Sequence, residues 1–222
     1  MPNPTNIQTV NSLEKPVSSL TIKFSQSLTI LFTEGGEQLD HTFLPVCQAL
    51  YDLAEIHGEE EVLATLRSLH RNLENTSFPY QALCYEYNRL FVGPVPPLAP
   101  PYESVYRTAD HLVMQSHTLD VRRFYRSEKL STVRHSEPDD FIATELEFAL
   151  YLLNQAMKVS SQSPIRAEHY LEVYSRFREK HLNVWIEPFL KQICCSTSHP
   201  WVNTLSQAIL TLYLRHGKLN LI

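Results

Sequence analysis

The sequence predicts an all-α protein: a single helical bundle domain of about eight helices, in two lobes joined by a proline-rich loop. Three observations carry that prediction. Apolar residues recur at helical spacing through most of the chain from Phe43 to Leu212. Only 5 glycines occur in 222 residues, few for a fold rich in tight hairpins. The one long interruption places Pro94, Pro96, Pro97, Pro100 and Pro101 within residues 94–101. Proline lacks an amide hydrogen and pushes the preceding residue out of the helical region, so no helix crosses this segment.

Residues 1–35 read as an N-terminal extension, partly disordered, ahead of an all-helical domain over 36–222. The first nineteen residues are polar and carry Pro2, Pro4 and Pro16. Residues 20–32, LTIKFSQSLTILF, are rich in β-branched side chains and alternate in part. Periodicity does not separate strand from helix here, and we read the segment as strand or coil.

Helical stripes follow. Phe43, Val46, Leu50, Tyr51 and Ala54 share one face, and Gly58 ends that helix. Val62, Leu66, Leu69 and Leu73 form a second stripe; Tyr80, Leu83, Cys84, Tyr87 and Phe91 form a third that runs into the proline loop. Residues 105–125 read as one helix with a less regular stripe. Ser136-Glu137-Pro138-Asp139 reads as a helix start, with a capping serine, a tolerated proline and acids opposing the positive helix end. Ile142, Leu146, Ala149, Leu150 and Leu153 continue it. Beyond the linker 160–164, stripes run through Tyr170–His181, Leu182–Ile193 (with Pro188 a kink or boundary) and Trp201–Leu212.

Composition narrows the function classes. Hydrophobic content of 43% and charged content of 19% suit a globular core. A formal net charge of -5 gives no global attraction for nucleic acid or an anionic membrane. No apolar run approaches a membrane span, and the N-terminus lacks a basic region followed by an apolar core, so the chain reads as cytoplasmic. Cys47, Cys84, Cys194 and Cys195 form neither a disulfide framework nor a metal knuckle. Cys194-Cys195 with His199 is the nearest thing to a ligand cluster, and adjacent cysteines rarely serve one ion. Phosphate-binding, dinucleotide, zincin and nucleophile-elbow motifs are all missing. Neither a catalytic group nor a cofactor is expected. Arg122-Arg123 reads as a solvated helix face.

Two features remain: the stiff apolar loop Val92–Tyr102 and the acids Glu137, Asp139, Asp140 and Glu145. A stiff loop loses little entropy on ordering and can present apolar groups and free carbonyls to a peptide. Carboxylates suit arginine, which binds them in a bidentate fork. Composition alone favours a loop that only crosses between lobes and acids that only complement a helix dipole.

The run Tyr87-Asn88-Arg89-Leu90-Phe91-Val92-Gly93-Pro94, followed by Pro100-Pro101-Tyr102-Glu103-Ser104-Val105-Tyr106, resembles the signature of the TorD/DmsD family. These are NarJ-related cytoplasmic chaperones of molybdopterin oxidoreductases. A second signature is matched by Glu137-Pro138-Asp139-Asp140-Phe141 through Glu145-Leu146-Glu147-Phe148. Phe141 stands where the family usually has a histidine, and either extends an apolar groove or fills the core.

The resemblance covers roughly residues 40–215 and implies a concrete role. Such proteins bind the twin-arginine leader peptide and the apo form of a molybdopterin oxidoreductase before cofactor insertion and export, and catalyse no covalent reaction. They occur as monomers or helix-swapped dimers. The peptide-binding residues so implied are Leu90, Phe91, Gly93, Pro94, Leu98, Pro100, Pro101, Tyr102, Glu103, Ser104, Tyr106, Glu137, Asp140, Phe141 and Glu145. The remaining alternatives are a general helical interaction module and a ligand-binding helical protein or enzyme.

Overall fold

The computed structural model describes residues 19–75, 80–93, 96–133 and 137–216. The expected tail over residues 1–18, the capping role of Ser136 and the placement of Pro94 lie outside the described residues. Among the described residues ten α-helices run in order: α1 Ser19–Glu34, α2 Leu39–Ile56, α3 Glu60–Asn75, α4 Tyr80–Tyr87, α5 Glu103–Arg107, α6 Ser116–Ser127, α7 Ile142–Val159, α8 Pro164–Phe177, α9 Asn183–Ser196 and α10 Pro200–Arg215. The described residues contain no sheet, only an isolated bridge between Tyr102 and Phe141. The all-helical prediction therefore holds.

The segment read as strand or coil is helix α1. Phe24, Leu28, Leu31 and Phe32 fall on one face and are buried. That burial, against α2 and α7, outweighs the weak strand preference of Thr21, Ile22, Thr29 and Ile30. The Thr29 hydroxyl bonds back to the Ser25 carbonyl at 2.8 Å, which satisfies it inside the helix. Because α1 packs on helices from both halves of the chain, the buried residues from Phe24 to Tyr213 form one continuous core.

Three helix boundaries differ from the sequence reading. Residues 105–125 are two helices, α5 and α6, separated by a turn in which His111 and Met114 take positive φ. Leu112, Val113 and Met114 are exposed there, so no core contact pulls the turn into a helix. Helix α7 begins at Ile142 rather than near Ser136. The backbone just before it is engaged elsewhere: Glu103 N donates to Asp140 O at 3.1 Å and Ile142 N donates to Pro101 O at 3.0 Å. Finally, α4 does not end cleanly. A π-turn, Asn88–Val92, carries it into the proline loop, and a second π-turn, Arg178–Leu182, joins α8 to α9. Such turns rotate the side chains that follow and often sit at functional positions.

Candidate functional site

The proline loop folds back on the π-turn that precedes it. Gly93 N donates to Asn88 O at 2.6 Å, Leu98 N to Arg89 O at 3.4 Å and Ala99 N to Leu90 O at 2.7 Å. The Gln192 side chain of α9 donates to Leu98 O at 3.0 Å. Gly93 has φ +91°, and a Cβ there would meet Pro97 N at 3.1 Å, so both backbone and space require glycine. The loop is thereby fixed from both sides. Ala99 is fully buried, whereas Leu98 and Pro96 face solvent.

At its far end the loop meets the second motif block. The Tyr102–Phe141 bridge brings their rings to 5.6 Å, and the Tyr102 hydroxyl donates to Glu137 Oε2 at 2.6 Å. Burial, then Glu137, pushes the Tyr102 phenol above its usual range. Asp140 Oδ2 accepts from Ser104 N at 2.8 Å and so caps α5 from across the fold. Segments more than thirty residues apart in sequence are thus one structural unit.

Behind that unit lies a buried polar cluster. Arg107 donates to Glu103 Oε1 and to the Lys180 carbonyl. His181 Nδ1 lies 2.8 Å from Glu103 Oε2, and its Nε2 lies 3.6 Å from Asp120 Oδ2. Asp120 also pairs with Lys180 at 2.6 Å; burial pushes its carboxyl up, but Lys180 outweighs that and holds it below the usual range. Trp185 Nε1 donates to Glu145 Oε2 at 3.0 Å. Burial, then the nearby Glu103 charge, pushes the Glu145 carboxyl well above the ordinary range, against the pull of the Trp185 N–H. Tyr106 stacks on Trp185 at 5.7 Å.

On the other side of the π-turn is an apolar hollow of about 80 Å³. Its walls come from α1, α2, α4, α7, α9 and α10, with Phe32, Leu90, Phe91, Phe189 and Ile209 among them. Ser206 and Tyr87 belong to the lining, but the surface facing the hollow is hydrocarbon throughout. Every lining residue is buried except Phe91 and Val202, which mark the side that opens.

A polar network braces that rim. Arg89 donates through Nε and a terminal nitrogen to both Glu86 oxygens, each at 2.8 Å, and to the Ser196 carbonyl at 2.7 Å. Thr197 Oγ1 donates to Glu86 Oε1 at 2.5 Å. The Arg89 hydrogen bonds hold the Glu86 carboxyl down at about 2, against the effect of burial. The pair pins the π-turn bearing Leu90 and Phe91 to the turn between α9 and α10.

The residues implied by the motifs therefore fall into three groups. Leu90 and Phe91 line the hollow. Gly93, Leu98, Pro100 and Pro101 shape the loop. Tyr102, Glu103, Ser104, Tyr106, Glu137, Asp140, Phe141 and Glu145 join the loop to α7 and α9. Glu103, Ser104, Asp140 and Glu145 have 0% exposure and face inward. Phe141 packs on Tyr102 and lies outside the hollow. The sequence reading missed the walls from α1, α9 and α10, the Glu86–Arg89–Thr197 brace, and His181 with Trp185. The walls, the Thr197 and Ser196 contacts of the brace, and the partners of His181 and Trp185 depend on residues far apart in the chain; the Glu86–Arg89 pair itself sits at i,i+3 and was readable locally. Among the described residues no group of three or more His, Cys, Asp or Glu could hold a metal ion, and no helix is long and apolar enough to cross a membrane.

Comparison with known families decides the kinship. The family model described as nitrate reductase delta subunit matches residues 57–191, more than half of the chain and inclusive of both motif blocks. The chain belongs to the nitrate reductase delta subunit family. Helices α1, α2 and α10 lie outside the matched stretch, so this family member draws part of its hollow from flanking helices. A curated relative described as "Probable Tat proofreading chaperone DmsD" from Haemophilus influenzae is 26% identical over 114 residues. The match covers 51% of this chain and 49% of that protein, about half the length of the relative. A solved structure of a candidate redox enzyme maturation protein from Archaeoglobus fulgidus is 24% identical, with a TM-score of 0.38 over 76% of this chain and 99% of that one.

Proposed function

We propose that the protein is a cytoplasmic maturation chaperone that binds the twin-arginine leader, the immature body of a molybdopterin oxidoreductase, or both, before cofactor insertion and export. The observation that carries this reading is the apolar hollow opening beside Phe91, in the first motif block, on a rim that Arg89 and Glu86 hold rigid. A preformed apolar hollow of about 80 Å³ suits one small apolar side chain from the greasy part of a leader, and its rigidity lowers the cost of binding. The loop and the buried carboxylates then act as scaffold rather than as contact surface. Glu103 and Asp140 are enclosed, so the paired arginines of a leader would meet half-buried acids such as Glu137, whose Oε2 takes the Tyr102 hydroxyl.

Calorimetry with a synthetic leader carrying paired arginines and an apolar segment tests the reading. The expected result is saturable binding with a negative heat-capacity change, the mark of apolar burial, and a modest loss of affinity with salt. Absence of heat with every leader offered to the folded protein would sink it.

A further inference from the structure

A groove of about 500 Å³ lies between α2 and α3 and shares no lining residue with the apolar hollow. Its floor is apolar: Cys47 of α2 and Leu66 of α3, both buried. Burial pushes the Cys47 thiol up to about 12, so the floor carries no charge. On α2, Tyr51 forms a half-buried wall and Gln48 an exposed edge. The opposite edge is Arg67, His70 and Arg71, all exposed and all on α3. Among the described residues, no Asp or Glu lines this groove.

Arg67 is positioned by a neutral group. Its Nε donates to the Tyr51 hydroxyl at 3.2 Å, and its guanidinium carbon lies 5.9 Å from the centre of the Tyr51 ring. Glu60 comes only to 4.0 Å from one terminal nitrogen, and both side chains are at least half in water, so that pair adds little. The terminal nitrogens are thus poised for a carboxylate, which arginine grips with two N–H groups. His70 and Arg71 have contacts of their own, so Arg67 leads the recognition. Arg71 stands one turn further along α3, and like charges at that spacing weaken a helix. A negative ligand turns that repulsion into attraction. On a chain with a formal net charge of -5, the groove is a local reversal of sign.

We propose that this groove is a docking site for an acidic peptide segment of a partner protein, with carboxylates on Arg67 and Arg71 and an apolar side chain on the floor beside Tyr51. Size and chemistry favour a peptide over a bare anion. A volume of about 500 Å³ is far more than one phosphate or carboxylate group fills, and an apolar floor offers an inorganic ion nothing. Charge argues against the rest of this chain as the occupant. Residues 1–18 hold one acid, Glu14, beside Lys15, and residues 76–79, 94–95, 134–136 and 217–222 hold none. The paired arginines of a leader would be repelled here. Groove and hollow therefore take different segments, and the docking site stands whatever the hollow binds.

Calorimetry on the full chain with a capped peptide of repeating Glu-Glu-Leu tests the proposal. The expected result is saturable binding at one site that weakens as salt is added. Arg67→Glu should weaken it at least about tenfold and Arg67→Gln about threefold. The same peptide with glutamine in place of glutamate should not bind. Arg67 is exposed, and Arg67→Gln, a good helix former, decides alone if charge reversal disturbs α3. A short DNA duplex serves as the rival anion and should bind more weakly than the peptide. No binding of the acidic peptide, equal affinity in the wild type and Arg67→Gln, or a duplex that binds more tightly and displaces the peptide would overturn the proposal.

Discussion

Asp140 and Ser104 stand 36 positions apart, yet the carboxylate of one caps the backbone of the other at 2.8 Å. That single contact gives the second motif block a structural role, because its aspartate ends the proline loop by starting α5. The same residue offers its carbonyl to Glu103 N. A group so enclosed is spent on the fold.

Asp140→Ala should therefore destabilise the protein by about 1–3 kcal/mol in urea unfolding, because the Ser104 N–H loses its partner in a buried site. Asp140→Asn retains an oxygen acceptor and should cost less. In calorimetry, Asp140→Asn should change leader affinity by less than about tenfold, or 1.4 kcal/mol. A larger loss of affinity in a protein of unchanged stability would instead make Asp140 a direct contact.

The Glu86–Arg89 pair predicts the acid limb of stability. A carboxyl held down at about 2 contributes stability above its unfolded value of 4.5, and that contribution fades as pH falls between the two. Arg89→Ala removes the main cause, so acid unfolding followed by circular dichroism should begin at higher pH than in the wild type. The variant should also lose order at Phe91, read as faster amide exchange across residues 88–92.

Gly93→Ala tests the loop geometry. A side chain at φ +91° and 3.1 Å from Pro97 N strains the backbone and crowds the loop. We expect a loss of about 1–3 kcal/mol in denaturant unfolding, more than a Gly→Ala change costs at an unstrained position.

Filling the hollow separates binding from folding. Ser206 lies in the hollow wall, buried, with its hydroxyl donating to the Asn203 carbonyl of its own helix. Ser206→Leu puts an apolar side chain into the hollow and should cost about 1–3 kcal/mol of stability in denaturant unfolding. Leader affinity should nevertheless fall at least about tenfold by calorimetry.

Much of the fold was legible because helical periodicity reports burial directly. Phe43–Ala54 and Ile142–Leu153 carry stripes that only a helix places on one face. Helix α1 was not legible, because Thr21, Ile22, Thr29 and Ile30 mask its stripe and its partners α2 and α7 come later in the chain. The true start of α7 was hidden for a related reason: Pro101 and Glu103 bind the backbone that would otherwise have begun it. Leu90 and Phe91 could be picked out from the motif, but the hollow they border needs Phe32, Phe189 and Ile209, which only folding brings together. The acids were visible as residues and not as a buried cluster, since a sequence does not say which carboxylates water reaches.

The central claim is that the hollow beside Phe91 receives an apolar side chain of the partner. A photoreactive phenylalanine analogue in place of Phe91 tests it most directly, with the same analogue at exposed Leu171 on α8 as control. The account predicts saturable cross-linking at position 91 to the apolar part of a twin-arginine leader, competed by unlabelled leader and weak at position 171. Equal labelling at both positions, or none at position 91 while calorimetry records binding, would contradict it.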